Sequence, residues 1–119
     1  MNIMGVICRT DEIKDLIYEF ISGIPSPDEI ELIENEEKKI ICEFLYEFCY
    51  FLTRLPIEID DYHNLAKASH IVSTVLCLGR EIEKIINLYF PDLVPIFGQI
   101  YRAMRELRRE LIPYIPILD

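Results

Sequence analysis

The sequence has little of what phosphate loops, metal clips and disulfide scaffolds are made from. Its four glycines, Gly5, Gly23, Gly79 and Gly98, stand far apart, so no glycine-rich turn exists to cradle a phosphate. Four cysteines, Cys8, Cys42, Cys49 and Cys77, show neither CxxC spacing nor the density of a secreted disulfide framework, so reduced thiols and a cytoplasmic setting are expected. No Glu-x-x-His occurs, which excludes the di-iron bundle signature. Arg54 and His63 have eight residues between them, too many for the Arg, four to six residues, His motif of small helical ribonuclease domains.

Long apolar runs are missing as well. The longest uncharged helical stretch, Ala68 to Gly79, is twelve residues, enough for a core helix and too short to span a bilayer. The apolar start, Met1 to Cys8, lacks a preceding basic region and is followed by Asp11 and Glu12, so no signal peptide is expected. Positive charge is the minority: 12 Lys and Arg face 21 Asp and Glu, net -9. Gripping nucleic acid rests on Lys and Arg displacing condensed counterions, so that balance counts against nucleic acid as a direct ligand and favours a basic partner. Asn and Gln total five while Ile appears 21 times, a mix that leans toward a heat-adapted source, a thermophile.

What is present is apolar and punctuated. Half of the 119 residues, 51%, are hydrophobic, which excludes disorder and at this length predicts a single domain over residues 1–119. Thr10, with Asp11 and Glu12 behind it, reads as a helix cap, and Gly23 with Pro25 as a stop, predicting a helix over 11–22. Ser26-Pro27-Asp28-Glu29 has the form of a capping box with proline at the first helical position. Nothing then breaks the pattern until Pro56, so a helix over 27–55 is predicted, about 42 Å long. Asp60 and Asp61 offer an acidic cap for a helix over 61–90, which Pro91 ends. Asp92 can cap a last helix over 93–111, with Pro95 tolerated in its first turn. No strand alternation, repeat or linker competes.

In the 61–90 segment Leu65, Ala68, Val72, Val75, Gly79, Ile82, Ile86 and Tyr89 alternate three and four apart, with Ile71, Leu78 and Ile85 widening the stripe. Ile30, Ile33, Ile40, Ile41, Phe44, Phe48, Phe51 and Leu55 answer from 27–55. The expected architecture is all-α: a long antiparallel hairpin packed by the two shorter helices, followed by an extended apolar tail. More apolar surface than two short helices can cover predicts a homodimer. Tyr114, Ile115, Ile117 and Leu118, in a proline-stiffened tail too apolar to be left free, are the expected oligomer contacts.

Chemistry has few candidates. His63, His70 and Cys77 recur every seven residues, about 10 Å apart along the axis, whereas two ligands of one zinc on a helix sit near i, i+4. An antiparallel hairpin turning near residue 57 sets Cys42 level with His70 and Cys49 with His63, but each pair supplies only two ligands. Ser69, His70, Ser73 and Thr74 lack an orienting third group for nucleophilic catalysis. No enzyme, metal or cofactor is therefore expected.

Charge is the better guide. Residues 1–61 hold 15 acids and five bases; residues 62–119 hold six acids and seven bases. Asp28, Glu29, Glu31, Glu34, Glu36 and Glu37 form the densest acidic run, an expected docking face for a basic protein surface. Arg102, Arg105, Arg108 and Arg109 form a basic patch, interrupted by Glu106 and Glu110. The expected function is a non-enzymatic protein that binds a macromolecule, with two alternatives. One is a regulator or inhibitor occupying the basic channel of a polymerase or guided nuclease; the other is a structural subunit of a larger assembly.

Overall fold

The computed structural model describes residues 7–114. Helix α1 spans Asp11–Ser22, with the boundaries that its acidic first turn and Gly23 imply. The expected cap at Thr10 is not made, because its hydroxyl is used elsewhere: it donates to the Pro56 carbonyl, and the Thr10 N–H donates to the Ile57 carbonyl at 2.9 Å. Gly23 has an ordinary helical backbone, φ -91°, so it is not there for conformational freedom. A Cβ at this position would collide with the Leu93 side chain, so glycine lets the end of α1 meet the last helix pair.

The helix expected to run unbroken over 27–55 is two helices, α2 at Pro27–Glu31 and α3 at Glu36–Leu52. The capping box at Ser26 forms as its spacing implies: the Ser26 hydroxyl accepts from Glu29 N–H, and the Glu29 carboxylate accepts from Ser26 N–H. After one turn Leu32 and Ile33 close tight bonds to Glu29 and Ile30. Asn35 is extended, φ -72° and ψ 116°, and its side chain accepts from Lys38 N–H at 2.8 Å. Asn35 is thus a second N-cap. The restart gives Glu36 and Glu37 a fresh positive helix end, which one continuous helix would have denied them.

The linker after α3 is not plain coil. Cys8–Arg9 (β1) and Glu58–Ile59 (β2) form an antiparallel ladder, with Cys8 opposite Ile59 and Arg9 opposite Glu58. The Arg9 guanidinium pairs with Glu58 across the ladder and with Asp11 at 2.9 Å. Two residues per strand carry no periodicity, so nothing in the sequence marks them. Helix α4 spans Tyr62–Tyr89; the Asp61 carboxylate caps it, accepting from Asn64 N–H at 2.7 Å. A 3₁₀ turn at Pro91–Leu93 leads to α5, Val94–Leu111. Asp92 lies inside that turn, and α5 begins without a side-chain cap. Ile112–Tyr114 continue as another 3₁₀ turn, and the rest of the expected apolar tail lies outside the described residues.

The fold is all-α apart from that short ladder, and elongated, with extents of 51 × 25 × 24 Å. Its packing differs from the expected hairpin, since the chief partner of α4 is α5 and not α3. The α4 seam is buried as its spacing implies, from Leu65 and Ala68 through Val75 to Ile82 and Ile86. At Gly79 the Tyr101 ring of α5 rests where a Cβ would stand. Phe97 of α5 anchors the other side, its ring 5.7 Å from Phe20 of α1 and 6.4 Å from Phe48 of α3. Such tilted pairs add to the area they bury. Helix α3 turns Cys42, Leu45, Phe48, Cys49 and Leu52 inward, leaving Ile40 and Phe44 56% and 43% exposed. Apolar residues surround α3 almost completely, and the buried thiols act as small hydrophobes that fix which side is inside.

Candidate functional site

The acidic run gathers at the corner where α2 gives way to α3. All six carboxylates, Asp28, Glu29, Glu31, Glu34, Glu36 and Glu37, are exposed. Two are engaged. Glu29 completes the capping box, and the Ser26 N–H and hydroxyl hold its carboxyl below the ordinary range. Glu37 accepts from the Tyr89 hydroxyl of α4 at 2.7 Å, a bond that pushes the phenol up. Asp28, Glu31, Glu34 and Glu36 make no side-chain hydrogen bond or ion pair among the described residues. Leu32, which follows the last residue of α2, is 81% exposed. The break before α3 leaves an exposed apolar side chain within the segment that carries the carboxylates.

His63, His70 and Cys77 all lie exposed on α4, and the cysteines expected beside them are elsewhere. His70 meets the edge of Phe51, ring centroids 5.7 Å apart, so α3 and α4 are not in the register of a turn near residue 57. The ladder and the Asp61 cap lengthen the connection and slide α3 along α4, away from the pairing of Cys42 with His70. Around His70 is a dent of about 140 Å³ shared with Phe51, Arg54 and Lys67, a cationic setting opposed to a metal ion. Among the described residues no three His, Cys, Asp or Glu are placed to hold a metal. Burial pushes the Cys49 thiol up to about 12 and that of Cys42 up as well. Cys8 rises to about 11, by burial and then by the Glu110 carboxylate beside it. Raised thiols of this kind are poor nucleophiles.

Helix α5 sorts its charges between two grooves. Arg105, Arg108 and Arg109 face α4, where Arg80 and Lys84 join them along a groove of about 880 Å³. Glu83 is the one carboxylate in that lining, with Leu76, Tyr101 and Ile112 as its apolar members. Glu106 and Glu110 face the other way, into a groove of about 550 Å³ shared with Arg9, Asp11 and Glu12. The two glutamates that interrupt the arginines in sequence therefore do not interrupt them in space. Arg102 is exposed but outside the groove lining, whereas Arg80 and Lys84, on another helix, complete the cluster. Lys84 also lies 3.7 Å from Glu81, a weak exposed pair.

No family model, curated protein or solved structure matches this chain.

Of the expected oligomer contacts, Tyr114 packs partly buried against its own core. Ile115, Ile117 and Leu118 lie outside the described residues. No helix among the described residues is long and apolar enough to cross a membrane.

Proposed function

We propose that the protein is a non-enzymatic binding module that docks onto a basic protein surface through the acidic corner between α2 and α3. The observation that carries this reading is Leu32, 81% exposed amid six exposed carboxylates, four of them without a side-chain partner among the described residues. An apolar anchor ringed by charge has the anatomy of a binding hot spot: the carboxylates steer encounter and the leucine supplies desolvated contact. A basic channel in a polymerase or guided nuclease is one surface of this chemistry, and occupying it would make the protein an inhibitor. Exposed Ile40 and Phe44, four residues apart on one face of α3, support a homodimer or a place in a larger assembly as the second reading.

The test is a tagged pull-down from the native cells or host, washed at low and high salt, with wild type, Leu32→Ser and Glu31→Lys/Glu34→Lys/Glu36→Lys. The same captured protein should be lost with the charge-reversed variant and weakened with Leu32→Ser. Capture that ignores both changes sinks the proposal. Light scattering of wild type against Ile40→Lys/Phe44→Lys decides the dimer: a halved mass supports it, and a wild-type monomer ends it.

A further inference from the structure

We propose that the groove between α4 and α5 binds a single strand of nucleic acid, held by its phosphates. This site goes beyond the acidic corner and stands independently of it. The His70 and Tyr89 side chains look from α4 toward α3, while Arg80 and Lys84 look across to α5, so the two charged faces flank opposite sides of α4.

Three observations carry the inference. The first is the sorting of charge: in a chain with a net charge of -9, five cations and one carboxylate line a single concavity, and the glutamates of α5 are turned out of it. Among the described residues, none of the four arginines in the groove is in an ion pair. Like charges gathered with so little counter-charge repel one another, so the folded chain carries a standing cost that an anion would relieve.

The second is spacing. Arg80 and Lys84 on α4, and Arg105 and Arg109 on α5, are both i, i+4 pairs, so each helix sets its cations about 6 Å apart along the axis. The two pairs line one groove on either side of the Gly79–Tyr101 contact, a staggered track for successive phosphates of an extended strand; one isolated phosphate would use a single pair. The groove is concave and partly open to solvent, a shape that favours a strand over the convex face of a duplex.

The third is the floor. Tyr101 is half-buried and seated against Gly79, giving an aromatic surface between the cations, with Ile112 an apolar member about three turns farther along the groove. A basic track with an aromatic platform is how single strands are held without sequence readout: the charges follow the backbone and the ring takes a base. Guanidinium groups suit phosphate oxygens in pairs of hydrogen bonds, and four of the five cations are arginine.

The probes are fluorescein-labelled single strands of dT and of U, about 12 nucleotides long, and a duplex of equal length, followed by anisotropy at about 50 mM and about 200 mM salt. Binding of the single strands should weaken roughly 50-fold between those salts if about four phosphates are neutralised, from a slope of about -0.7 per contact. Arg80→Glu/Arg105→Glu should lower affinity by about tenfold or more, while Arg54→Glu/Lys38→Glu, the same change of net charge on α3 and the turn after it, should stay within about twofold. All four positions are exposed, three on helices and Arg54 in the turn after α3, and circular dichroism checks that each variant folds. Equal loss in the two double variants overturns the proposal, as does a wild type that binds no strand at the lower salt. Tighter binding of the duplex overturns it too. Displacement of the strand by polyglutamate at equal charge concentration would mean that the groove takes an acidic protein surface instead.

Discussion

The Thr10 hydroxyl donates to the carbonyl of Pro56, joining the start of α1 to the connection between α3 and α4. Thr10 is 1% exposed and the only buried polar residue among those described. Its neighbours extend the link: Thr10 N–H reaches Ile57, Ile7 N–H reaches Ile59 at 2.9 Å, and Arg9 pairs with Glu58. Thr10→Val keeps the shape and removes the donor, leaving the Pro56 carbonyl without this partner. The expected loss is about 1–2 kcal/mol in urea unfolding, the cost of one buried hydrogen bond plus an unsatisfied acceptor. Helix α1 itself should persist, since its cap never used the hydroxyl; a loss of helicity at native conditions would contradict that.

Two glycines inside helices should respond to alanine with opposite sign. At Gly79 a Cβ would overlap the Tyr101 ring, and overpacking of a fitted contact costs about 1–3 kcal/mol. That outweighs the helix propensity alanine brings, so Gly79→Ala is expected to lower the melting temperature. At Gly98 nothing stands within 4 Å of an added Cβ, and alanine should stabilise by about 0.5–1 kcal/mol. Thermal melts of the two variants decide it, and equal signs would be wrong for this packing. Gly79→Ala should also weaken single-strand binding, because the displaced ring is part of the groove floor.

Ser26→Ala tests the corner that presents Leu32. Losing an N-cap hydroxyl costs about 1 kcal/mol at neutral pH. The Glu29 carboxyl is held below its ordinary range, so the folded state binds its proton less readily than the unfolded chain does. Its contribution is complete above about pH 4.5 and is lost as pH falls through the lowered value. Ser26→Ala keeps the backbone N–H that does most to lower Glu29 and loses only the hydroxyl, so its gap to wild type should narrow in acid by the hydroxyl's share without closing; denaturant midpoints at about pH 7 and about pH 3 measure the gap. A gap as wide in acid as at neutral pH would show that the box is not titrating.

Where local chemistry decided an outcome, the sequence was readable. Ser26-Pro27-Asp28-Glu29 makes its capping box, Pro91 stops α4, and the stripe from Leu65 to Ile86 is the buried seam. The misreadings came where two local signals were both satisfied. Ile33, Ile40 and Phe44 continue a helical pattern straight across Asn35, while Asn35-Glu36-Glu37-Lys38 is also a start signal, and the cap won. The hairpin register failed for a longer-range reason, since β2 pairs with Cys8–Arg9, some fifty residues earlier in the chain. The acidic corner was visible as composition, but its exposed leucine was not. In α5 the arginines and glutamates alternate too closely to separate on paper. Only the positions of α1 and α4 divide Glu106 and Glu110 from Arg105 and Arg109.

The thiols give the last prediction, in two parts. Cys77 is exposed, Cys42 and Cys49 are buried and Cys8 is half-buried beside Glu110. A disulfide reagent at neutral pH should therefore modify one thiol rapidly, and Cys77→Ser should abolish that phase. Alkali then reports on Cys49, whose thiol burial pushes from 9.0 to about 12. The unfolded chain releases this proton near pH 9 while the folded protein keeps it, so alkali favours unfolding. The contribution of Cys49 is full below about pH 9 and disappears as pH rises toward about 12, at up to about 1.4 kcal/mol per pH unit. Cys49→Ala lacks this slope, although it loses packing at every pH. Urea unfolding of both proteins between about pH 8 and about pH 11 should show the wild-type advantage shrinking with pH. Parallel curves would mean that water reaches Cys49 and that the α3 face it anchors is looser than its burial requires.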